Sequence, residues 1–216
     1  WFRPEFAHQD MDLVDREEIL KDRIRLLLDR YGVLFRELLA REMPGFRWAN
    51  SFKTLYLMEL AGEVLAGSFF KDIQGPQFIS HEAFRRLKAG LDTKGVYWVN
   101  AADPASACGL GPLSKGLPKR LASNHLVYQG AKLVLVSMRK GKELDIFVDP
   151  DDENLPTYFA PLSHMLTRSF DPLTRISIET INKESAVKSP YRKVLESLFE
   201  VVAGHKALDL YQRRIP

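Results

Sequence analysis

The stretch that decides the fold is Trp48-Ala49-Asn50-Ser51-Phe52-Lys53-Thr54-Leu55-Tyr56-Leu57-Met58-Glu59-Leu60-Ala61-Gly62, followed by Glu63-Val64-Leu65-Ala66-Gly67-Ser68-Phe69-Phe70. The first part has apolar residues at helical spacing and ends on a glycine, so it predicts a helix over residues 48–61. The second part predicts a strand, which a turn at residues 71–76 joins to a returning strand at residues 77–79. The predicted core residues of the helix are Trp48, Phe52, Leu55, Tyr56 and Met58.

Two further helices are predicted before this stretch. Residues 12–31 carry an apolar stripe at three- and four-residue spacing, formed by Leu20, Ile24, Leu27, Leu28 and Tyr31. A second helix covers residues 35–42 and is broken by Pro44-Gly45. Three short helices followed by a hairpin are typical of the winged helix, a helix-turn-helix unit with a wing attached. The sequence therefore predicts a winged-helix domain over residues 1–95.

The non-apolar side of the third helix is the predicted nucleic-acid contact. It is formed by Arg47, Asn50, Ser51, Lys53 and Thr54. Arginine and lysine neutralise phosphates, while asparagine and serine hydrogen-bond to base edges or to the backbone. The alternative interpretation is an ordinary solvated helix face.

The second half of the chain predicts a small antiparallel β-barrel or curled sheet with additional helices, over residues 96–216. Closely spaced strands at residues 125–128, 131–137 and 143–148 are separated by glycine-containing turns. Before them lies a long glycine- and proline-rich loop, residues 104–120. Its basic residues Lys115, Lys119 and Arg120 are predicted to add phosphate contacts. The overall class is α+β.

Composition excludes several classes of protein. The chain has 216 residues, of which 45% are hydrophobic and 27% are charged, as in an ordinary folded domain. No apolar run is long enough to cross a membrane. A single cysteine, Cys108, excludes an internal disulfide or a cysteine-rich zinc site and fits a cytoplasmic location. The net charge of +3 permits nucleic-acid binding. Because the chain begins at Trp1 without a methionine, we expect it to be part of a longer protein.

Catalytic signals are weak. The sequence contains no phosphate-binding loop of the ATPase type and no metal-ligand spacing, so no cofactor is predicted for this segment. Gln74, Gln77 and Asp103 are the candidates for assisting water attack on a glycosidic bond, and hydrogen bonding within turns is the alternative for each. Cys108 is interpreted as an incidental thiol.

Several short segments of the sequence, taken in order, resemble those of a known protein family. They are Leu28-Asp29-Arg30-Tyr31-Gly32-Val33, Leu60-Ala61-Gly62-Glu63-Val64-Leu65-Ala66-Gly67-Ser68-Phe69, Gly75-Pro76-Gln77-Phe78, Ala102-Asp103-Pro104 and Asn124-His125-Leu126-Val127-Tyr128-Gln129-Gly130. In this order they resemble the winged-helix region of Lhr-type superfamily 2 ATP-dependent DNA helicases. The chain departs from the family at Leu65-Ala66-Gly67-Ser68, where members carry more arginine. Because of this departure, we expect a less cationic wing here.

The resemblance implies an accessory region that follows two RecA-like motor lobes and joins a winged helix to a module with a β-barrel. The parent enzyme would use ATP and Mg²⁺ in its motor to translocate 3′ to 5′ in DNA repair. This region would clamp the tracking strand of single-stranded or tailed DNA, or of an RNA:DNA hybrid. Two alternatives stay open: a glycosylase-like base-excision activity, and a protein-interaction module that docks on the motor lobes or on a repair partner.

Overall fold

The computed structural model describes residues 12–213, and the chain divides into two compact units. Within the described residues, one unit contains residues 12–90 together with Leu110–Leu113. The other contains Leu91–Gly109 and the residues from Ser114 onward.

The first unit is built from four helices and three strands. In chain order they are α1 (Leu13–Tyr31), β1 (Val33–Leu34), α2 (Arg36–Leu39), α3 (Trp48–Leu60), β2 (Val64–Gly67), β3 (Gln77–Ser80) and α4 (His81–Ala89). The strands form an antiparallel sheet in the order β1-β3-β2, in which β2 and β3 are the arms of the wing. The order of the first three helices and the two wing strands is the one that the sequence predicts, whereas β1 was not predicted.

Helix α1 supplies much of the core of this unit. Asp12 caps it, because the Asp12 carboxylate accepts hydrogen bonds from the backbone N–H groups of Val14 and Asp15. Ile24, Leu27 and Leu28 of the predicted stripe are buried, whereas Leu20 and Tyr31 are half-buried.

The second unit contains the remaining nine strands and three helices of the described residues. They are β4 (Val96–Asn100), β5 (His125–Gln129), β6 (Lys132–Met138), β7 (Glu143–Ile146), α5 (Leu155–Tyr158), α6 (Ala160–Thr167), β8 (Ile176–Ile178), β9 (Thr180–Ile181), β10 (Glu184–Ser185), α7 (Arg192–Leu198), β11 (Glu200–Ala203) and β12 (Leu208–Tyr211). Two separate helices, α5 and α6, cover residues 155–167, and α6 restarts next to Pro161, which has no N–H to continue a helical ladder.

Two sheets organise this unit. A six-stranded sheet has the order β10-β9-β7-β6-β5-β4, and a three-stranded sheet has the order β11-β12-β8. Both sheets are open, so the predicted closed barrel is not confirmed. The main core lies against one face of the larger sheet, where Val127 and Leu135 pack with Tyr158, Leu162 and Leu195. Strand β4 is at the edge of the sheet.

Candidate nucleic-acid interface

Helix α3 is rotated relative to the sequence prediction. Its buried stripe is Ser51, Thr54, Leu55 and Met58, which follow one another at helical spacing. The Thr54 hydroxyl donates to a Glu17 carboxylate oxygen at 3.1 Å, and the Ser51 hydroxyl donates to the Phe46 carbonyl at 3.4 Å. The prediction that Ser51 and Thr54 face outward is therefore wrong. Small hydroxyl residues satisfy their own polar groups while letting α3 lie close to α1.

The three remaining polar residues predicted at this helix do lie on the surface. Arg47, Asn50 and Lys53 are all exposed. The Arg47 guanidinium donates from Nε to the Glu42 carbonyl at 3.2 Å, and the Asn50 amide donates to the Pro44 carbonyl at 2.7 Å. These two bonds fix both side chains against the turn that precedes α3, so the start of the helix presents an oriented polar group and Lys53 follows one turn later.

Aromatic side chains share this outward face, which the sequence did not predict. Phe52 is 40% exposed and Tyr56 is 51% exposed, so the expectation that both are core residues is wrong. Phe52 packs against Trp48 at a ring-centroid distance of 5.3 Å, which holds the ring in place. Leu57 and Leu60 are exposed beside them. Cations interleaved with open aromatic rings are the combination that binds unpaired bases and their phosphates.

The wing turn does not contain a free catalytic amide at Gln77. The Gln77 side chain is fully buried, and its oxygen accepts from the N–H groups of Phe69 and Phe70 at 2.9 and 2.8 Å. Its amide nitrogen donates to the carbonyls of Phe70 and Ile73 at 2.9 and 3.0 Å. The catalytic prediction for Gln77 is therefore wrong, because every polar atom of this side chain is committed to holding the turn. Gln74 lies in the same turn and is exposed.

The three basic residues of the long loop belong to the second unit, whereas α3 belongs to the first. Lys115, Lys119 and Arg120 are exposed, and Arg120 donates to the Ala102 carbonyl at 2.8 Å. Asp103 is exposed nearby in sequence, and its carboxylate accepts from the Ala105 N–H at 2.8 Å. That bond is the turn-forming contact expected of an aspartate before proline.

A buried histidine in the second unit was missed by the sequence analysis. The Asn100 amide donates to the Ala122 carbonyl at 2.8 Å and lies 3.1 Å from His125 Nε2, while its oxygen accepts from the Ala102 N–H at 2.9 Å. The amide is thereby oriented, Nε2 accepts, and the neutral ring carries its proton on Nδ1. The pKa of His125 is lowered to about 4, chiefly by burial and to a smaller extent by the neighbouring His164 and Arg168.

Two buried polar atoms at this position have no hydrogen-bond partner among residues 12–213. They are His125 Nδ1 and Ser137 Oγ, which belong to residues paired across strands β5 and β6. The ring of Trp98 contacts both His125 and His164, at centroid distances of 5.6 and 5.0 Å. The neutral form of His125 is thus built into the packing of the sheet.

A stacked tyrosine pair on the opposite face of β4 and β5 was also missed. Tyr97 and Tyr128 are directly paired across the strands, and their rings lie 5.5 Å apart at an interplanar angle of 17°. Tyr97 is 49% exposed, whereas Tyr128 is half-buried. Burial raises the pKa of Tyr128, with Cys108 and Tyr97 adding to the effect, so the ring stays neutral at physiological pH.

Three further features were sought in the part of the chain that the structure describes: an exposed thiol, a metal-ligating cluster and a membrane span. Cys108 is fully buried. No group of three or more potential metal-ligating residues occurs within residues 12–213. No helix between residues 12 and 213 has both the length and the apolar content for a membrane span.

Comparison with known proteins agrees with this architecture. Three helices, a short strand and a two-stranded wing define the first unit as a winged-helix domain. The family described as "Large helicase-related protein, winged-helix domain" matches residues 13–99. Residues 13–99 are therefore similar to the winged-helix domain of Lhr-type helicases.

A curated relative also carries the Lhr helicase name. The protein named "Lhr helicase/uracil glycosylase" of Escherichia coli (strain K12) is 29% identical to this chain over 177 residues. The alignment covers 76% of this chain and 11% of that protein. The chain thus corresponds to a small part of the relative's length.

Proposed function

We propose that this chain is a nucleic-acid-binding accessory region of an Lhr-like ATP-dependent helicase, and that it holds the single-stranded or tailed DNA along which the motor moves. An RNA:DNA hybrid is a second substrate of the same chemistry. The family match of residues 13–99 supports the helicase context. In this proposal ATP and Mg²⁺ act in RecA-like motor lobes elsewhere in the parent chain. The parent chain translocates 3′ to 5′, is located in the cytoplasm and takes part in DNA repair.

The observation that carries the proposal is the outward face of α3. Lys53 lies on that face with the rings of Phe52 and Tyr56, and exposed Arg47 directly precedes the helix. The cations neutralise phosphates and release counterions, which makes binding fall steeply with salt. The rings stack on exposed bases at about 1–3 kcal/mol each, irrespective of sequence. Together they favour sequence-independent grip on a strand over reading of base edges.

A salt titration tests the proposal. We expect the whole chain to bind a fluorescein-labelled tailed duplex at low salt, with an affinity that falls linearly on a log–log plot against salt concentration. The double variant Arg47→Ala/Lys53→Ala should flatten that slope by roughly one to two units, since each phosphate that a cationic side chain neutralises releases about one counterion. Lys193→Ala is the matched control, because Lys193 is exposed in α7 of the second unit.

The result that contradicts the proposal is a flat titration by folded wild-type protein. That outcome would favour the protein-docking alternative, for which exposed Leu57 and Leu60 on the same face of α3 would be the contact residues. A patch of this kind is typical of a partner-binding surface when no charge-dependent binding accompanies it.

A second candidate function is base excision, because the name of the curated relative combines a helicase with a uracil glycosylase. Of the candidate residues, Asp103 and Gln74 remain available at the surface, whereas Gln77 does not. Incubation with a uracil-containing oligonucleotide, followed by alkaline cleavage, tests for the activity. If Asp103→Asn and Gln74→Ala both retain full cleavage, these residues are not catalytic.

A further inference from the structure

We infer that Tyr97, on the edge strand of the larger sheet, is a stacking platform for an unpaired base, and that the neighbouring loop supplies cations for the adjacent phosphates. The site is a second contact for a single strand, located in the second unit and separate from α3. This inference rests on the proposed nucleic-acid function and specifies the ligand as single-stranded.

The tyrosine ring is held in a defined position. Its lower face stacks on Tyr128, which is itself anchored in a small cluster with Leu126 and Leu133. A platform that is already ordered loses little side-chain entropy when a base adds to the stack. About half of the Tyr97 surface is open to solvent. Because β4 is the last strand in the order of this sheet, the stack ends at the sheet edge.

Cations border the same face of the sheet. Leu117 packs into the cluster that contains Tyr128, which places this part of the long loop over the side of β4 and β5 that carries the tyrosine pair. Lys115 and Lys119 lie two residues before and two residues after Leu117, and both are exposed. Successive phosphates of an extended strand are several ångströms apart, so two lysines on one short loop suit neighbouring phosphates.

The charge of this surface selects the occupant. An exposed aromatic ring, on the side of the sheet against which a loop with two exposed lysines packs, complements a polyanion that carries flat rings. Double-stranded DNA offers no exposed ring face along its length, because its bases are stacked on one another. The combination therefore fits a single strand and gives no advantage to a blunt duplex.

The test measures binding of the whole chain to a deoxythymidine oligomer of about 15 nucleotides, a length within the reach of one small binding module, and to a blunt duplex of the same length. Tyr97→Ala should weaken binding to the oligomer by roughly 5- to 100-fold and leave duplex binding unchanged. Tyr97→Phe keeps the ring and should restore the oligomer affinity. Phe170→Ala is the matched control, since Phe170 is an exposed aromatic residue of the second unit.

A 2-aminopurine placed in the oligomer gives an independent readout. Stacking on Tyr97 should quench its fluorescence in complexes with wild type and Tyr97→Phe, and the quenching should be reduced with Tyr97→Ala. Salt-sensitive binding by the wild type that Tyr97→Ala leaves unchanged overturns this inference alone. The absence of any binding by the folded wild type overturns both this inference and the proposed function.

Discussion

Two hydrogen bonds join the Gln77 side chain to the backbone N–H and C=O of Phe70. The Gln77 side-chain oxygen accepts from the Phe70 N–H at 2.8 Å, and the side-chain nitrogen donates to the Phe70 carbonyl at 2.9 Å. The amide thus takes the place of a missing strand partner at the tip of the wing. Since the side chain is fully buried, the wing turn depends on it for its shape.

Replacing this glutamine should lower stability. Gln77→Ala leaves buried backbone groups of the turn without partners, and we expect the free energy of unfolding to fall by about 2–3 kcal/mol. Urea denaturation followed by circular dichroism measures the change. Gln74→Ala, an exposed position in the same turn, should change stability by less than ~0.5 kcal/mol. Equal effects at the two positions would contradict the assigned role.

Acidification should destabilise the second unit through His125. The pKa of His125 is lowered from 6.5 to about 4 in the folded chain, so between these values the unfolded chain binds more protons. Its contribution is present above about pH 6.5 and is lost as the pH falls towards 4. A difference of this size corresponds to a loss of up to about 3 kcal/mol. Urea unfolding midpoints measured at several pH values between 7 and 4 provide the test.

A matched pair of variants isolates the histidine. His125→Gln keeps an acceptor for Asn100 but removes the titration, so its stability should depend less on pH over that range. His205 is exposed, and His205→Gln should keep the wild-type pH dependence. A His125→Gln profile with the same slope as wild type would show that other groups cause the acid sensitivity.

The turn that follows β5 should tolerate only glycine. Gly130 has a φ of +56°, and a Cβ there would lie 2.7 Å from the Thr93 Cα and 2.9 Å from the Asp92 carbonyl oxygen. Gly130→Ala should therefore cost at least ~2 kcal/mol, from backbone strain plus the clash. Gly111 also has positive φ, at +49°, but open space around it. Gly111→Ala should cost only about 1 kcal/mol in thermal unfolding. Similar losses would show that the Asp92–Thr93 backbone moves aside.

The sequence predicted the first three helices and the two wing strands of the first unit because their periodicity and their glycine and proline boundaries are local signals. It did not predict the two-residue strand β1. It did not predict which side of α3 faces inward. Hydropathy alone favours burying Phe52 and Tyr56, yet the structure buries Ser51 and Thr54. Contacts to Glu17 and Phe46 decide the outcome, and no local pattern reports such partners.

The second unit shows the same limit for strand pairing. The strand containing Tyr128 was predicted, but the stacking of Tyr128 on Tyr97 depends on a register between residues 31 positions apart, which the sequence does not specify. Of the predicted barrel or curled sheet, the barrel was not confirmed, for a related reason. Short strands with glycine turns are shared by barrels and open sheets, and closure depends on which edges pair.

The most direct test of the central claim is lysine footprinting on the complex. The whole chain is acetylated briefly with and without saturating tailed DNA, and each lysine is quantified by mass spectrometry. The account predicts that DNA protects Lys53 on α3, while exposed Lys193 and Lys206 react equally in both samples. Acetylation of Lys53 that is unchanged by bound DNA would contradict the claim that the outward face of α3 holds the strand.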